Sequence, residues 1–232
     1  MTITSDFPVV VPAAGVGKRM GADRPKQYLL IHGKTVLEHT LLLLLAHPRI
    51  RYVVVAIDPQ DPYFDALDIA DHPDIKRVDG GKERADSVLA GLQLIADQDW
   101  VLVHDAARPC VRHDDIDALL ALADQHNGGG ILATPVRDTM KRASEQFPDR
   151  VDHTAPREHL WHAQTPQFFP AGQLRQALEQ GMAKGLPITD EASAMEAAGY
   201  PVQLVEGSEQ NLKITRPDDL ALAEYYLSRR TT

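Results

Sequence analysis

Short runs of apolar residues, separated by segments with helical patterns, constrain the fold of this chain more than any other feature. The four longest runs are FPVVVP at 7–12, RYVVVAID at 51–58, WVLVHD at 100–105 and GILATPV at 130–136. They lack the polar alternation of half-exposed strands, and strands of this kind are buried on both faces. Parallel sheets covered by helices on both sides contain such strands, so the sequence predicts an α/β protein with a mostly parallel sheet.

Segments with helical periodicity alternate with these runs. The first, TVLEHTLLLLLAH at 35–47, stops before Pro48. Its leucine run at 41–45 is far shorter than the roughly 18 apolar residues that a membrane span needs, so it predicts the buried face of a core helix. Helices are also expected at 61–71, 83–97, 114–126, 171–183, 190–199 and from Pro217 onward, with short strands at 75–78, 202–205 and 212–214.

The alternation breaks at 137–158, which is polar. FPDR at 147–150 has Pro148 at the second position of a predicted turn. We interpret the segment as a protruding β-hairpin arm. Because an isolated hairpin is only marginally stable, we expect the arm to pack against another surface, such as a second subunit.

Charge and cysteine content exclude several classes of protein. The chain has 232 residues and a net charge of −9, from 24 basic and 33 acidic residues, which disfavours nucleic-acid binding over a broad basic face. Cys110 is the only cysteine, so no intramolecular disulfide can form; this suits the cytoplasm, and we interpret Cys110 as a small buried hydrophobe. The first residues do not resemble a signal peptide, no membrane span is expected, and residues 1–232 are expected to form a single domain.

The loop after the first strand, PAAGVGKRMGADRPKQY, fits neither of two common phosphate-binding patterns. A P-loop would need glycine at position 12 and serine or threonine at position 19, where the chain has Pro12 and Arg19. A dinucleotide fingerprint would need a small residue at position 20, where Met20 stands. Both patterns therefore fail.

The chemistry of this loop nevertheless favours a triphosphate. Ala13, Ala14 and Gly15 are small enough for backbone N–H groups to approach a ligand closely. Four cations follow within nine residues: Lys18, Arg19, Arg24 and Lys26. Such a loop can neutralise a triphosphate; the alternative is a solvated basic surface loop.

Two other loops offer candidate ligands. In HDAARP, Asp105 ends a buried strand, where a carboxylate can hold Mg²⁺ against phosphates; the alternative is a turn cap. Arg108 adds charge to the same loop. In GGKERADSV, Ser87 lies one turn inside a helix and can bond either a ligand or its own backbone.

No serine, cysteine or lysine stands out as a nucleophile, which is informative if the substrate provides its own. A phosphate monoester is mostly a dianion at neutral pH. It can attack the α-phosphorus of a nucleotide without a strong general base. The protein then needs cations, Mg²⁺ and correct positioning.

Five segments together resemble the family of 2-C-methyl-D-erythritol 4-phosphate cytidylyltransferases. In chain order they are PAAGVGKRMGADRPKQY, GGKERADSV, HDAARP, ITDEASAMEAAG and NLKIT, and all of them lie within residues 8–220. The resemblance implies a Rossmann-like, three-layer α/β nucleotidyltransferase domain with a mostly parallel sheet and a protruding β-hairpin arm. It also implies transfer of CMP from CTP to the sugar phosphate, release of pyrophosphate, a role in the non-mevalonate isoprenoid pathway, a need for Mg²⁺ or another divalent cation, and a homodimer formed through the arm.

The resemblance also implies a role for each matching residue. Charge on the α-phosphate would be stabilised by Arg19 and Lys26, and the metal would be bound by Asp105. The residues that would surround the nucleotide, with a slot too small for a purine, are Ala13, Ala14, Gly15, Gly81 and Ser87. The residues that would face the sugar phosphate are Arg108, Thr189 and Lys213, together with Thr139 and Arg157 from the partner's arm.

Other interpretations of these residues stay open. Thr189, followed by two acids, is also an ordinary helix start, and Lys213 could be an exposed strand lysine. A cytidylyltransferase for another polyol phosphate, such as ribitol 5-phosphate, would have the same nucleotide half. More distant alternatives are a dinucleotide-binding oxidoreductase, which the failed glycine pattern disfavours, and a regulator that binds CTP without turnover.

Overall fold

A seven-stranded sheet forms the centre of the computed structural model, which describes residues 6–15, 24–125 and 128–229. Its strands are β1 (Phe7–Pro12), β4 (Ile50–Ile57), β5 (Ile75–Asp79), β6 (Trp100–Val103), β7 (Gly130–Pro135), β10 (Trp161–Pro170) and β11 (Gln203–Glu206). Two small antiparallel pairs lie outside it: β2 (Leu30–Ile31) with β3 (Lys34–Thr35), and β8 (Met140–Ala143) with β9 (Val151–Ala155).

Six α-helices accompany these strands in the described residues. They are α1 (Val36–Leu45), α2 (Arg84–Leu92), α3 (His113–Leu120), α4 (Ala171–Ala183), α5 (Glu191–Ala197) and α6 (Pro217–Ser228). Short 3₁₀ helices span Lys26–Tyr28, Phe64–Ala66 and Ala121–Gln125.

The strand order β11-β7-β10-β6-β1-β4-β5 creates a topological switch point between β1 and β6. From β1 the chain adds β4 and β5 on one side, then crosses to β6 on the other side, and all these neighbours are parallel. In open α/β sheets, ligands bind at such a point, outside the carboxyl ends of the strands. The loops that follow β1 and β6 meet there, and they contain the predicted phosphate loop and Asp105.

Alternating side chains of the central strands form two cores, one on each face of the sheet. On β1, Val9 and Val11 pack with α1 and α3, whereas Val10 packs with α2, α4 and α5. The leucine run of α1 follows the expectation, since Leu41 and Leu44 are fully buried. The predicted three-layer fold with a mostly parallel sheet is confirmed.

A third, smaller core lies beneath α6. It contains Cys110, Ile214 and Ala223, packed against Val36 at the start of α1. The prediction that Cys110 is a small buried hydrophobe is confirmed. Across the described part of the chain, no helix combines the length and the apolar character needed to span a membrane.

Two local predictions were wrong, and one strand was not predicted. Residues 61–71 form no α-helix; Phe64–Ala66 is a single 3₁₀ turn, because the Asp61 carboxylate caps the N–H groups of Tyr63 and Phe64 and the chain continues in separate i→i+3 turns. Residues 212–214 form no strand; there Ile214 N–H donates to the Ala107 carbonyl at 2.9 Å instead of to a sheet neighbour.

The third error is the omission of β10. This strand is antiparallel to both of its neighbours, β6 and β7. Its polar centre, with Pro166, disagrees with the usual pattern of a central strand. The register with β7 shifts between Ala163 and Gln167, and this irregularity accommodates the proline.

The predicted hairpin arm is present. Strands β8 and β9 pair with each other in an antiparallel register, and most of their residues are exposed. The Arg150 N–H donates to the Phe147 carbonyl at 2.9 Å, which closes the predicted turn at Pro148.

Close contact between α2 and β1 generates a prediction about stability. A Cβ atom added to Gly91 would lie 2.6 Å from Cγ1 of Val10. Alanine is the better helix former by about 1 kcal/mol, yet we expect Gly91→Ala to lower the free energy of unfolding by about 1–3 kcal/mol, since overpacking a dense core is costly. Urea denaturation measures the change. In a Val10→Ala background the same substitution should cost much less; an equal cost in both backgrounds would contradict the steric explanation.

Candidate active site

A cavity of about 410 Å³ opens at the carboxyl ends of β1 and β6. It lies at the switch point of the sheet, and five separate segments contribute to its wall. The lining residues are Pro12, Ala13, Ala14, Gly15, Lys26, Gln27, Gly81, Lys82, Glu83, Arg84, Ser87, Asp105, Ala106, Ala107, Lys213 and Thr215.

Gln27 holds the described start of the loop that follows β1. Its buried side-chain amide donates to the carbonyls of Ala13 at 2.8 Å and Gly15 at 3.0 Å. Lys26, the neighbouring residue, donates from Nζ to the Ile214 carbonyl at 2.7 Å. The loop, the 3₁₀ helix at Lys26–Tyr28 and the segment before α6 are therefore joined at one wall of the cavity.

A second wall is the turn between β5 and α2. Gly81 N–H donates to Ser87 Oγ at 3.1 Å, so the hydroxyl already accepts a hydrogen bond from the backbone of this turn. Gly80 approaches the opposite wall so closely that an added Cβ would lie 2.5 Å from the Cβ of Ala14. Ser87 lines the cavity and also stabilises this turn, so a contact between its hydroxyl and a nucleotide stays a prediction.

The carboxylate of Asp105 lies among three cations. Its Oδ1 accepts from Arg84 Nε at 2.9 Å, its Oδ2 lies 2.7 Å from Lys213 Nζ, and Arg108 Nε is 3.7 Å from Oδ2. Burial alone would raise the pKa of Asp105, but the three cations outweigh it and hold the pKa below its usual range. The carboxylate is therefore ionised at neutral pH.

A chain of hydrogen bonds fixes the backbone around Asp105. Asp105 N–H donates to Thr165 Oγ1 at 3.0 Å, and Thr165 Oγ1 lies 3.0 Å from His104 Nδ1. His104 Nε2 lies 3.0 Å from the Arg108 carbonyl, which can only accept. Nε2 therefore carries the proton and Nδ1 accepts from Thr165. Burial lowers the pKa of His104 to about 4, which keeps this neutral tautomer at physiological pH.

Sequence reasoning missed Arg84 and Glu191. Arg84 donates from Nη1 to Glu191 Oε1 at 2.6 Å and from Nη2 to Oε2 at 3.0 Å, in addition to its bond with Asp105. Both residues stand inside segments that the sequence analysis singled out, GGKERADSV and ITDEASAMEAAG. The available signal was that the two segments contain charges of opposite sign and that the family resemblance assigned residues of both to the substrate site.

Eight of the predicted site residues line the cavity: Ala13, Ala14, Gly15, Lys26, Gly81, Ser87, Asp105 and Lys213. Arg108 is buried behind it and donates from Nη1 to the Asn211 carbonyl at 2.6 Å. Arg19 lies outside the described residues.

Three predicted residues do not line the cavity of their own chain. Thr189 is exposed just before α5, and its N–H donates to Ser193 Oγ at 3.1 Å. Thr139 and Arg157 are exposed at the base of the arm, where Arg157 Nη1 donates to the Arg137 carbonyl. The predicted roles of Thr139 and Arg157 depend on a second subunit.

The donor set of the cavity suits a divalent cation that arrives with phosphates. No cluster of three or more histidine, cysteine or acidic residues that could hold a metal occurs among the described residues. Mg²⁺ commonly uses one or two carboxylates together with substrate phosphates and water, rather than an all-protein cage. Asp105 is a single ionised carboxylate of this kind, with cations beside it that can neutralise phosphate oxygens.

Comparisons with known proteins agree over nearly the whole chain. A protein from Vibrio vulnificus (strain CMCP6), named 2-C-methyl-D-erythritol 4-phosphate cytidylyltransferase, is 62% identical over 224 residues, which are 95% of this chain and 94% of that protein. A protein of the same name from Escherichia coli O7:K1 is 58% identical over 224 residues, 97% of this chain and 94% of that protein.

Solved structures give the same result. A crystal structure of 4-diphosphocytidyl-2C-methyl-D-erythritol synthase matches with a TM-score of 0.82 at 38% identity, covering 96% of this chain and 98% of that one. The 2-C-methyl-D-erythritol 4-phosphate cytidylyltransferase (IspD) of Francisella tularensis matches with a TM-score of 0.81, also at 38% identity, covering 96% of this chain and all of that one. The family model for IspD, 2-C-methyl-D-erythritol 4-phosphate cytidylyltransferase, matches residues 7–229. The chain therefore belongs to the family of 2-C-methyl-D-erythritol 4-phosphate cytidylyltransferases.

Proposed function

We propose that this enzyme transfers CMP from CTP to 2-C-methyl-D-erythritol 4-phosphate. The products are 4-diphosphocytidyl-2-C-methyl-D-erythritol and pyrophosphate, within the non-mevalonate isoprenoid pathway. Family membership supports this nucleotidyl transfer. The alternative of another polyol phosphate, such as ribitol 5-phosphate, is not favoured by the relatives at 58–62% identity.

The observation that carries the proposal is the ionised Asp105 with three cations at the switch point of the sheet. A triphosphate carries about four negative charges, and a carboxylate alone would repel it. Cations that already surround this carboxylate reverse the local field, so phosphates and a metal can share the same cavity.

The reaction needs no nucleophile from the protein. A phosphate oxygen of the sugar phosphate attacks the α-phosphorus of CTP, the bond from that phosphorus to the α–β bridging oxygen breaks, and pyrophosphate leaves with the electron pair. We assign Arg19 and Lys26 to the charge that develops on the α-phosphate in the transition state. Fixed cations aimed at such charge supply most of the rate enhancement in reactions of this type.

The nucleotide half of the cavity is assigned to residues near its glycine turns. Ala13, Ala14 and Gly15 on one wall face Gly81 and Ser87 on the other. A Cβ atom added to Gly80 would lie only 2.5 Å from the Cβ of Ala14, and this distance indicates how closely the two walls approach each other. We propose that the narrow slot accepts cytosine and excludes a purine.

Asp105 is the residue that we propose to hold Mg²⁺ or another divalent cation. Bound there with the triphosphate, the cation would neutralise phosphate charge. The ionised state of Asp105, maintained by its three cations, is the condition for this role.

The sugar-phosphate half is assigned to Arg108, Lys213 and Thr189 of one chain, with Thr139 and Arg157 from the partner's arm. Lys213 lies at the cavity wall, and the exposed positions of Thr139 and Arg157 are compatible with a contact across a homodimer. Homodimerisation through the arm, the single-domain organisation of residues 1–232 and a cytoplasmic location stay predictions.

Substrate specificity tests the proposed activity. We expect pyrophosphate release from CTP with 2-C-methyl-D-erythritol 4-phosphate to be at least about 100-fold faster than with ribitol 5-phosphate, because a site built to bond particular hydroxyl groups rejects analogues strongly. A coupled pyrophosphate assay at matched subsaturating concentrations measures the ratio of kcat/KM. Equal or faster release with ribitol 5-phosphate would establish the alternative, and CTP binding without turnover on any acceptor would indicate a regulator.

Mixed dimers test the shared site. Lys26→Ala and Arg157→Ala should each be nearly inactive as homodimers. Refolding the two variants together at equal ratio should give about half heterodimers by random pairing. If Arg157 serves the partner's cavity, each heterodimer has one site with both lesions and one intact site, so about a quarter of wild-type activity should return.

The control is each parent refolded alone, with heterodimers counted by two different affinity tags. Were Arg157 to serve its own chain, every site of the heterodimer would carry one lesion. A mixture that contains heterodimers yet stays as inactive as its parents would reject the shared site.

A further inference from the structure

Arg84 makes three charged hydrogen bonds at the cavity wall, and the proposed function uses only its positive charge. Nε donates to Asp105 Oδ1 at 2.9 Å, while Nη1 and Nη2 donate to the two oxygens of Glu191 at 2.6 and 3.0 Å. The Glu191 side chain is only 1% exposed. A carboxylate this deeply buried would be strongly destabilising without a partner, and Arg84 is that partner.

We propose that Arg84 is a positioning residue that fixes the orientation of the Asp105 carboxylate, with Glu191 as its anchor. Arg84 occupies Oδ1, and Oδ2, which lies 2.7 Å from Lys213 Nζ, is the oxygen that would hold a metal brought with the nucleotide. This inference rests on the proposed role of Asp105 as the metal ligand. It adds two residues, 107 positions apart in sequence, to the machinery of the site.

The shape of the guanidinium explains why arginine is needed here. Its planar fork presents two parallel donors to one carboxylate, and Nε remains available to a second. A lysine ammonium has the same charge but a single nitrogen, so it cannot hold both carboxylates in fixed directions. The bidentate bond to Glu191 prevents rotation of the guanidinium, and Nε is thereby aimed at Asp105.

The anchor is itself attached to the sheet. Glu191 begins α5, whose N-cap residue, Asp190, accepts from Gln167 Nε2 of β10 at 2.9 Å. Gln167 Oε1 accepts in turn from Ala192 N–H at 2.8 Å. The direction of Asp105 Oδ1 is therefore determined by a route through Arg84, Glu191 and α5 to a central strand.

Stability alone does not account for this pair. A buried ion pair is often no more stabilising than apolar side chains of similar volume. Outer-shell partners that orient a metal ligand, in contrast, typically change metal affinity about 10–100-fold when they are substituted. Replacing the pair with apolar residues therefore separates a positioning role from a purely structural one.

The measurement is the coupling between metal and nucleotide binding. Calorimetry on the purified enzyme, in whichever oligomeric state it adopts, gives the dissociation constant of CTP in EDTA and in excess Mg²⁺. The sugar phosphate is left out, so that no turnover occurs. The dissociation constant in EDTA divided by the dissociation constant in Mg²⁺ reports how much the metal strengthens CTP binding. This ratio cancels any effect of a variant on nucleotide binding alone. The variants are R84K, E191Q, R84M/E191M and D105N, each with its thermal unfolding midpoint. R77K is the matched control, since Arg77 pairs with Asp65 outside the cavity.

We expect the ratio to fall about 10-fold or more in R84K, E191Q and R84M/E191M, approaching the value of D105N, while R77K keeps the wild-type ratio. The double variant should also unfold at a midpoint close to that of the wild type. A wild-type ratio in R84K and in R84M/E191M, with a lowered ratio in D105N, would overturn the positioning role and leave the role of Asp105 intact. A wild-type ratio in D105N itself would show that Asp105 does not bind the metal, and it would overturn the positioning role of Arg84 as well.

Discussion

One ionised carboxylate, Asp105, makes the rest of the site possible. Arg84, Arg108 and Lys213 converge on it within 2.7 to 3.7 Å, and without a negative charge between them these cations would repel one another. Each cation comes from a different part of the chain: α2, the loop after β6 and the segment before α6. The carboxylate therefore draws distant segments together, and the three cations outnumber the two carboxylates, Asp105 and Glu191, which leaves a net positive charge that suits a triphosphate.

The sheet determines where this carboxylate can be. Strands β1 and β6 are adjacent and parallel, and because the strand order reverses between them, their following loops separate into a crevice. The antiparallel strand β10 then supplies the polar groups that the apolar strands lack. Thr165 bonds the backbone of Asp105, and Gln167 bonds α5. The irregular, polar centre of β10 is thus the part of the sheet that fixes both the loop of Asp105 and the anchor of Arg84.

The elements that could be predicted from the sequence are those whose burial determines their composition. The valines of β1 and β4 are fully buried, as are Leu37, Leu41 and Leu44 of α1, and the loops after β1 and β6 follow from those strands. Strand β10 escaped prediction because Thr165 and Gln167 are selected by partners that are remote in sequence, not by a local period. The ion pair of Arg84 with Glu191 escaped for the same reason. The supposed strand at 212–214 shows the opposite error: its alternation is real, but Ile214 is buried against α6 and bonds a loop, not a strand.

We propose that charge and positioning suffice for the reaction, and that the sugar phosphate itself attacks CTP. Ser87, a hydroxyl in the cavity wall, already bonds the backbone of its own turn. The stereochemical course at the α-phosphorus tests the claim most directly. With a single diastereomer of CTP that carries sulfur at the α-phosphate, one direct in-line displacement predicts inversion of configuration at phosphorus in the product. Retention would require two successive displacements through a covalent cytidylyl-enzyme, and it would contradict a direct attack by the sugar phosphate.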